Sequence, residues 1–468
     1  MTIQPSRAVR TWTLALLVAV LTLSPARAQV ATPTAAAPAP EYKVIALTVT
    51  PMPTTRPALR HPLVPGALDQ EPGNAAPLYM AAAIPVAQTP PDRDMLGSWL
   101  EQPVARLPGP EMLSGLGYGG AMNLMEKAAR REYVHWDLTL KTEGMRALLP
   151  HLSPLRELAR MFAARSRMHA AKHDHAAALR DIQTNVALAR HLTEESVLVQ
   201  ALVSAAIVSD TAASIEEFVR SPDAPNLYWS FAQLPRPFID AGRTFQYEKY
   251  ILQFSYPELR NIEALSPERF QAILADLFAM HGKSREPMTL LMIKAYPQAK
   301  RDLVARGRAR EEVEAMAVHR VMAHHLVITH AEWCDELGKW YGLPYPQARE
   351  GHLSAEWRLR RARERGEDAH EYITSLLPAA HAARIALTTA DRRLASLQCV
   401  EAIRAHAASN GGVLPASLDQ IWETPPPLDP MTGRAFSYRV ENGRAVLDCP
   451  APPERRDLGW RYEITIAK

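Results

Sequence analysis

The chain has 468 residues, 47% of them apolar, and sets 53 Lys and Arg against 50 Asp and Glu. A balance this close to neutral makes the chain a poor candidate for holding a polyanion, so nucleic acid is not an expected partner. The apolar share is that of an ordinary globular protein, and the length predicts two or three domains with sizeable cores.

At the N-terminus Arg7 and Arg10 precede an apolar run from Trp12 to Leu23, followed by Pro25 and the small-x-small triplet Ala26, Arg27, Ala28. This is the layout of a cleavable signal peptide over residues 1–28. The run is about twelve residues against the roughly 20 a spanning helix needs, so no transmembrane anchor is expected after cleavage. No cysteine follows Ala28 to carry a lipid. The protein is expected to be exported, periplasmic or extracellular. Three arginines leave with the signal, so the mature chain balances 50 basic against 50 acidic residues.

Residues 29–60 hold an Ala/Pro linker, "QVATPTAAAPAP", and then "EYKVIALTVTP", where Ile45, Leu47 and Val49 alternate with polar or small residues up to Pro51. That is one β-strand. The rest of the strand signal lies at the far end of the chain, so this strand is expected to complete a sheet there.

Residues 61–390 read as a helical domain. Fragments at Pro72 to Ile84 and around Trp99 precede a long helical stretch from about Glu111. The clearest pair is Leu155 to Met168 and Asp174 to Leu192, with Leu179, Ile182, Val186 and Ala189 on one face. Helices follow at about Glu194 to Val219, Ala241 to Phe254, Pro267 to Met280, Pro287 to Ala305, Arg310 to Tyr341, Ala355 to Arg365 and Asp368 to His406. Short Gly- or Pro-containing connections predict an antiparallel bundle or solenoid. The most apolar stretch, Val197 to Val208, is about twelve residues and contains Gln200 and Ser204, which fits a buried central helix better than a membrane span.

Several motifs in this domain touch on chemistry. "GLGYGG" (Gly115 to Gly120) satisfies GxGxxG, but a dinucleotide site needs a strand leading into the glycines, and "LPGPEMLS" is none, so a turn is expected and no cofactor. "HWD" sets His135 beside Asp137, yet residues this close in sequence point in different directions and a relay needs a third partner. "HAAKH" places His169 and His173 at i, i+4 with His175 behind, and Ala170 stands where a zinc protease needs its glutamate. The helix containing His319, His324, His325, His330 and Cys334 offers His330 and Cys334 at i, i+4 as candidate metal ligands. Two ligands do not make a site, so no metal is expected. "NLYWSFAQLPRPF" gathers Tyr228, Trp229 and Phe231, candidate binding residues whose more usual role is to pin a helix to its neighbours. "EWRLRRARERGE" (Glu356 to Glu367) reads as a solvated face because acids bracket its arginines.

Residues 391–468 read as a module: a long helix stopped by Asn410, Gly411 and Gly412, a short helical turn behind Pro415, a Pro-rich loop, a hairpin turning through Asn442-Gly443, and a final strand Arg461 to Ile466. The cysteines are three, Cys334, Cys399 and Cys449. The last two fall in this module and form a candidate disulfide in an oxidising compartment.

Ser166, His169, Ala178 and Ile182 give the first helical pair a resemblance to a tetratricopeptide unit, with Asn185 and Arg190 departing from the pattern and no second copy at fixed period. The order helix, "GGVLPASL", "DPMTG", "FSYRVENGRAV" is similar to the soluble end of type II secretion pseudopilins, although here the corresponding helix is internal. Together with "PGNAAPLY", "HWDL", "DAPNLYWSFAQLPRPFID" and "KWYGLPYPQA", these segments resemble a family of uncharacterised exported bacterial proteins. That resemblance implies a fold and an address, and no activity.

The expected fold is mainly α: an irregular helical bundle or solenoid with one tetratricopeptide-like hairpin, plus a small C-terminal α+β module with a short antiparallel sheet. The expected function is non-enzymatic binding or scaffolding in the cell envelope, with an envelope protein or peptide as partner. The alternative is a secreted hydrolase, metal-dependent or not, whose residues converge only in three dimensions, from His135, Asp137 and the histidines of the 319 to 330 helix.

Overall fold

The computed structural model describes residues 42–194, 197–240, 242–280, 288–364, 373, 377 and 379–467. The signal peptide expected at 1–28 and the Ala/Pro segment behind it lie outside the described residues. The chain is mainly α-helical with a small α+β module at its C-terminal end.

In chain order the described residues begin with strand β1 (Lys43–Val49), β2 (Glu71–Asn74), helices α1 (Ala76–Gln88), α2 (Arg93–Glu101) and α3 (Gly119–Ala129), and β3 (Arg131–Tyr133). Helices α4 (Leu152–Ala171), α5 (His175–Glu194), α6 (Leu198–Arg220) and the short α7 (Tyr228–Ala232) follow. Next come α8 (Gly242–Ser255), α9 (Pro267–Met280), α10 (Met288–Ala305), α11 (Val318–Gly338), α12 (Tyr345–Glu364) and α13 (Ala380–Ser409). Strands β4 (Ser437–Glu441), β5 (Arg444–Cys449) and β6 (Trp460–Ile466) end the order.

Two compact units share these elements. The first takes the described part of Met1–Trp136 with Leu148–Ile239 and Ala386–Lys468; the second takes Asp137–Ala147 and Asp240–Ile385. These boundaries cut the chain elsewhere than at 61–390 and 391–468. The reason is that the strand-rich end shares its unit with the helices of residues 152–220, and position 391 falls inside one uninterrupted helix.

In the first unit α4, α5 and α6 pack together through buried faces that include Leu158, Phe162, Ile182 and Ile207. Small residues let the helices approach. Ser204 Oγ donates to the Ala189 carbonyl at 2.7 Å, and Ser214 Oγ donates to the Ala163 carbonyl at 2.9 Å. By length and composition α6, at 23 residues, is apolar enough to cross a membrane, which extends the twelve-residue run read from sequence; 67% of its most apolar window is buried inside the fold.

The sheet of this unit runs β1-β6-β5-β4. β1 joins this sheet, as the sequence led us to expect, but it lies parallel to β6 from Lys43↔Trp460 to Val49↔Ile466 while the β5 pairings are antiparallel, so the sheet is mixed rather than antiparallel. The hairpin turns through Asn442 at φ 51° and Gly443 at φ 75°, the left-handed pair that a type I′ turn requires. Ile45, Leu47 and Val49 are buried while the residues between them are exposed. Arg404, fully buried, pairs with Glu401 at 2.8 Å and donates to the Thr50 and Ala224 carbonyls, so α13 clasps the end of β1. Arg392 donates to Asp429 Oδ2 at 2.6 Å, and Asp429 anchors the "DPMTG" turn by accepting from the Met431 amide.

A second sheet, β2 parallel to β3, was not foreseen. "EPGN" and "REY" are too short and irregular to show an alternating pattern, and their pairing is held by main-chain bonds such as Glu71 N to Arg130 O at 2.8 Å. Behind β2, Asn74 Oδ1 accepts from the Ala76 amide at the start of α1, and Asp92 Oδ1 accepts from the Asp94 and Met95 amides at the start of α2.

The second unit is helical around Leu252, Phe270, Ile273, Leu303, Val321 and Leu326. Its segment 137–147 is tied to α8 where the Met145 amide donates to Ser255 Oγ at 2.9 Å. Gly144 makes that approach possible: its φ is +55°, and a Cβ there would lie 2.2 Å from Ser255 Oγ. The helix expected over Arg310 to Tyr341 breaks at Met316 and Ala317, whose backbone is extended, while the one expected from Ala355 begins already at Tyr345, behind Pro344. The start expected at Asp368 lies outside the described residues.

Candidate functional site

The pair α4–α5 turns through Lys172, His173 and Asp174. His173 takes a left-handed φ of 57°, and Asp174 Oδ1 accepts from the Ala177 amide at 3.0 Å, capping α5. Close packing of the pair depends on Ser166, whose Oγ donates to the Ala178 carbonyl at 3.1 Å, and on Asn185, whose Nδ2 donates to the Ala159 carbonyl at 2.9 Å. Asn185, a departure from the tetratricopeptide pattern, is thus a buried tie between the two helices.

Beside this hairpin α3 closes a pocket of about 400 Å³. Its lining is polar. Arg165 on α4 directs Nε to both oxygens of Asp181 on α5, at 3.1 and 3.0 Å, and Nη2 to Glu126 on α3 at 2.6 Å. The guanidinium also lies 4.8 Å from the Phe162 ring centroid. One cation therefore fastens three helices. Asp181 is 2% exposed, and burial pushes its carboxyl up to about 6 against the opposing pull of Arg165. His169 sits 3.9 Å from Asp174, and burial, then Arg165, lowers its tendency to protonate. Arg130 and Arg180 line the same pocket, exposed and without a side-chain hydrogen bond or ion pair among the described residues.

Of these groups only His169 and Asp174 were noticed in the sequence. A signal existed: Arg165 and Asp181 are opposite charges equidistant in sequence from the turn residue His173, so a helical hairpin must bring them abreast. Glu126 had no such signal, because its position depends on how α3 docks.

The residues singled out from sequence are scattered. Tyr228 and Phe231 are buried, Tyr228 donating its hydroxyl to the Pro425 carbonyl at 2.7 Å, so both serve to seat α7. Trp229 is half-buried, edge-on to Tyr228 at 5.0 Å. His330 and Cys334 approach to 3.8 Å inside the second unit; burial lowers His330 to about 4 and raises the Cys334 thiol. Among the described residues no three His, Cys, Asp or Glu side chains gather as a metal cage. His173 and His175 instead both meet Ser221 Oγ, at 3.1 and 2.9 Å.

His135 is exposed in the first unit, whereas Asp137 and the histidines of α11 belong to the second. Within α11 each imidazole has a local partner: His319 with the Leu265 carbonyl at 2.8 Å, His324 with Glu263 at 3.3 Å and His325 with Asp302 at 2.9 Å. Cys399 and Cys449 are both buried and unbridged, and burial raises both thiols, Cys449 to about 12. The candidate disulfide is therefore not formed in this structure. At "GLGYGG", Gly117 turns at φ 83° ahead of α3, and a helical turn rather than a strand leads in. Compared with known proteins, the chain matches no family model, no curated protein sequence and no solved structure.

Proposed function

We propose that this is a non-enzymatic binding or scaffolding protein, exported to the bacterial cell envelope, which receives a polar ligand or the end of an envelope protein in the pocket between α3 and the α4–α5 hairpin. The observation that supports the reading is the pocket itself. It has the volume of a small-molecule site, and its floor is held by a cation fixed to two helices besides its own. Binding favours such pre-organised polar groups, because little order remains to be imposed when the ligand arrives.

The test is capture from the envelope fraction by tagged full-length chain, compared with Asn123→Trp. Asn123 lines the pocket and is exposed, so the indole fills the space without entering the core. The expected result is a stoichiometric partner retained by the parent and lost with Asn123→Trp at an unchanged melting temperature. Equal capture by both proteins would move the binding surface elsewhere, and the absence of any captured species would remove the scaffolding role.

A further inference from the structure

Three guanidiniums and three carboxylates line the pocket, and they are unequally committed. Glu126 and Asp181 both hold Arg165. Asp174 caps α5 and lies beside His169. Among the neutral lining groups, Gln183 Nε2 donates to the Pro62 carbonyl and Thr184 Oγ1 donates to the Arg180 carbonyl. Glu126 and Asp181 are thus committed within the protein, while Asp174 gives one oxygen to the cap and is half exposed. The guanidiniums are less so: Arg130 and Arg180 make no side-chain hydrogen bond or ion pair among the described residues, Arg180 feeling the nearby charge of Asp181, and Arg165 directs Nε and Nη2 to its carboxylates.

Resting on the reading of the pocket as a binding site, we infer that its ligand is a small anion whose carboxylate or phosphate oxygens bridge Arg130 and Arg180 above the anchored Arg165. A guanidinium presents paired N–H donors that match two oxygens of one acid group, and two such forks on different helices select a doubly charged or branched anion over a single exposed charge. The pairing of Arg165 with two carboxylates has a use here. It holds the middle cation rigid while reducing its excess charge, so the outer arginines set the specificity. Arg130 ends α3 and Arg180 lies on α5, so the anion would also tie α3 to the hairpin.

The full-length chain would be titrated calorimetrically with succinate, with inorganic phosphate, and with succinamide as the neutral match to succinate. The expected result is measurable binding of at least one anion and none of succinamide, with affinity reduced at least tenfold in the double variant Arg130→Gln/Arg180→Gln at an unchanged melting temperature. Preference for succinate assigns a carboxylate ligand, and preference for phosphate assigns a phosphate. Absence of binding by both anions, equal binding of succinamide, or indifference to the double variant overturns the inference. If Asn123→Trp nevertheless abolishes capture of an envelope partner, the pocket remains a binding site and only its anion specificity falls. If Asn123→Trp has no effect either, the pocket reading falls with it.

Discussion

His151 is 1% exposed, stacks 4.9 Å from Trp136, and has no protein partner at either ring nitrogen. Burial lowers it from 6.5 to about 4. The sign follows from linkage: the folded chain keeps this imidazole neutral, so its contribution is intact above about pH 6.5 and is lost as the unfolded chain takes up the proton between there and about pH 4. At about 1.4 kcal/mol per pKa unit the loss approaches 3 kcal/mol. His151→Phe, which keeps the ring stack, is expected to match or exceed parental stability at pH 7 and to widen its advantage toward pH 4, measured by urea unfolding across that range. A constant difference at all pH values would show that His151 does not carry the acid sensitivity. At this scale the sequence was least informative. It drew attention to exposed His135 in "HWD", while the residue that matters for packing is Trp136, whose Nε1 donates to the His191 carbonyl at 2.9 Å. Whether a histidine is a ligand, a packed ring or a solvated side chain is decided by neighbours distant in sequence.

Elements were far more legible. The β1 pattern announced a half-buried strand, and the shortage of other strand signal left the C-terminal sheet as its partner; the parallel ladder with β6 is that pairing. Asn442-Gly443 identified its hairpin because few residue pairs accept two successive left-handed conformations. The β2–β3 pair escaped notice because strands of four and three residues carry no periodicity. The period of two also sets a test. Leu47→Asp places a carboxylate in the core, whereas Thr48→Asp places it on the exposed face one residue on. The first is expected to cost about 3 kcal/mol or more and to expose β6 amides to hydrogen exchange; the second should leave exchange near the parental rate. Equal effects would mean the register differs from Leu47↔Ile464.

For the whole molecule, the chain leaves the first unit twice and returns each time, so neither unit is a continuous segment. The long excursion starts and ends at neighbouring places in the first unit, since the Phe238 amide donates to Asp391 Oδ1 at 2.8 Å and Arg236 bonds Gln398. Replacing 240–385 by a short Gly/Ser linker, and 137–147 by a Gly/Ser segment of equal length, is expected to leave a cooperatively folding first unit that binds its pocket ligand. Circular dichroism and the same titrations would show this, and an unfolded product would mean that the first unit depends on the second. Such nesting was invisible in the sequence, because the residues on both sides of these boundaries read alike as helical. The pairing of Lys43 with Trp460 carries a last consequence, for the order of events during synthesis. β1 leaves the ribosome long before β6 is made, and closing so long a loop makes this one of the slowest contacts to form. Until β6 is made the main chain of β1 lacks its ladder partner, although α6 is already there and its Arg220 donates to the Ala46 carbonyl. A chain cut short before β6 therefore keeps an unpaired strand edge for chaperones and proteases to find.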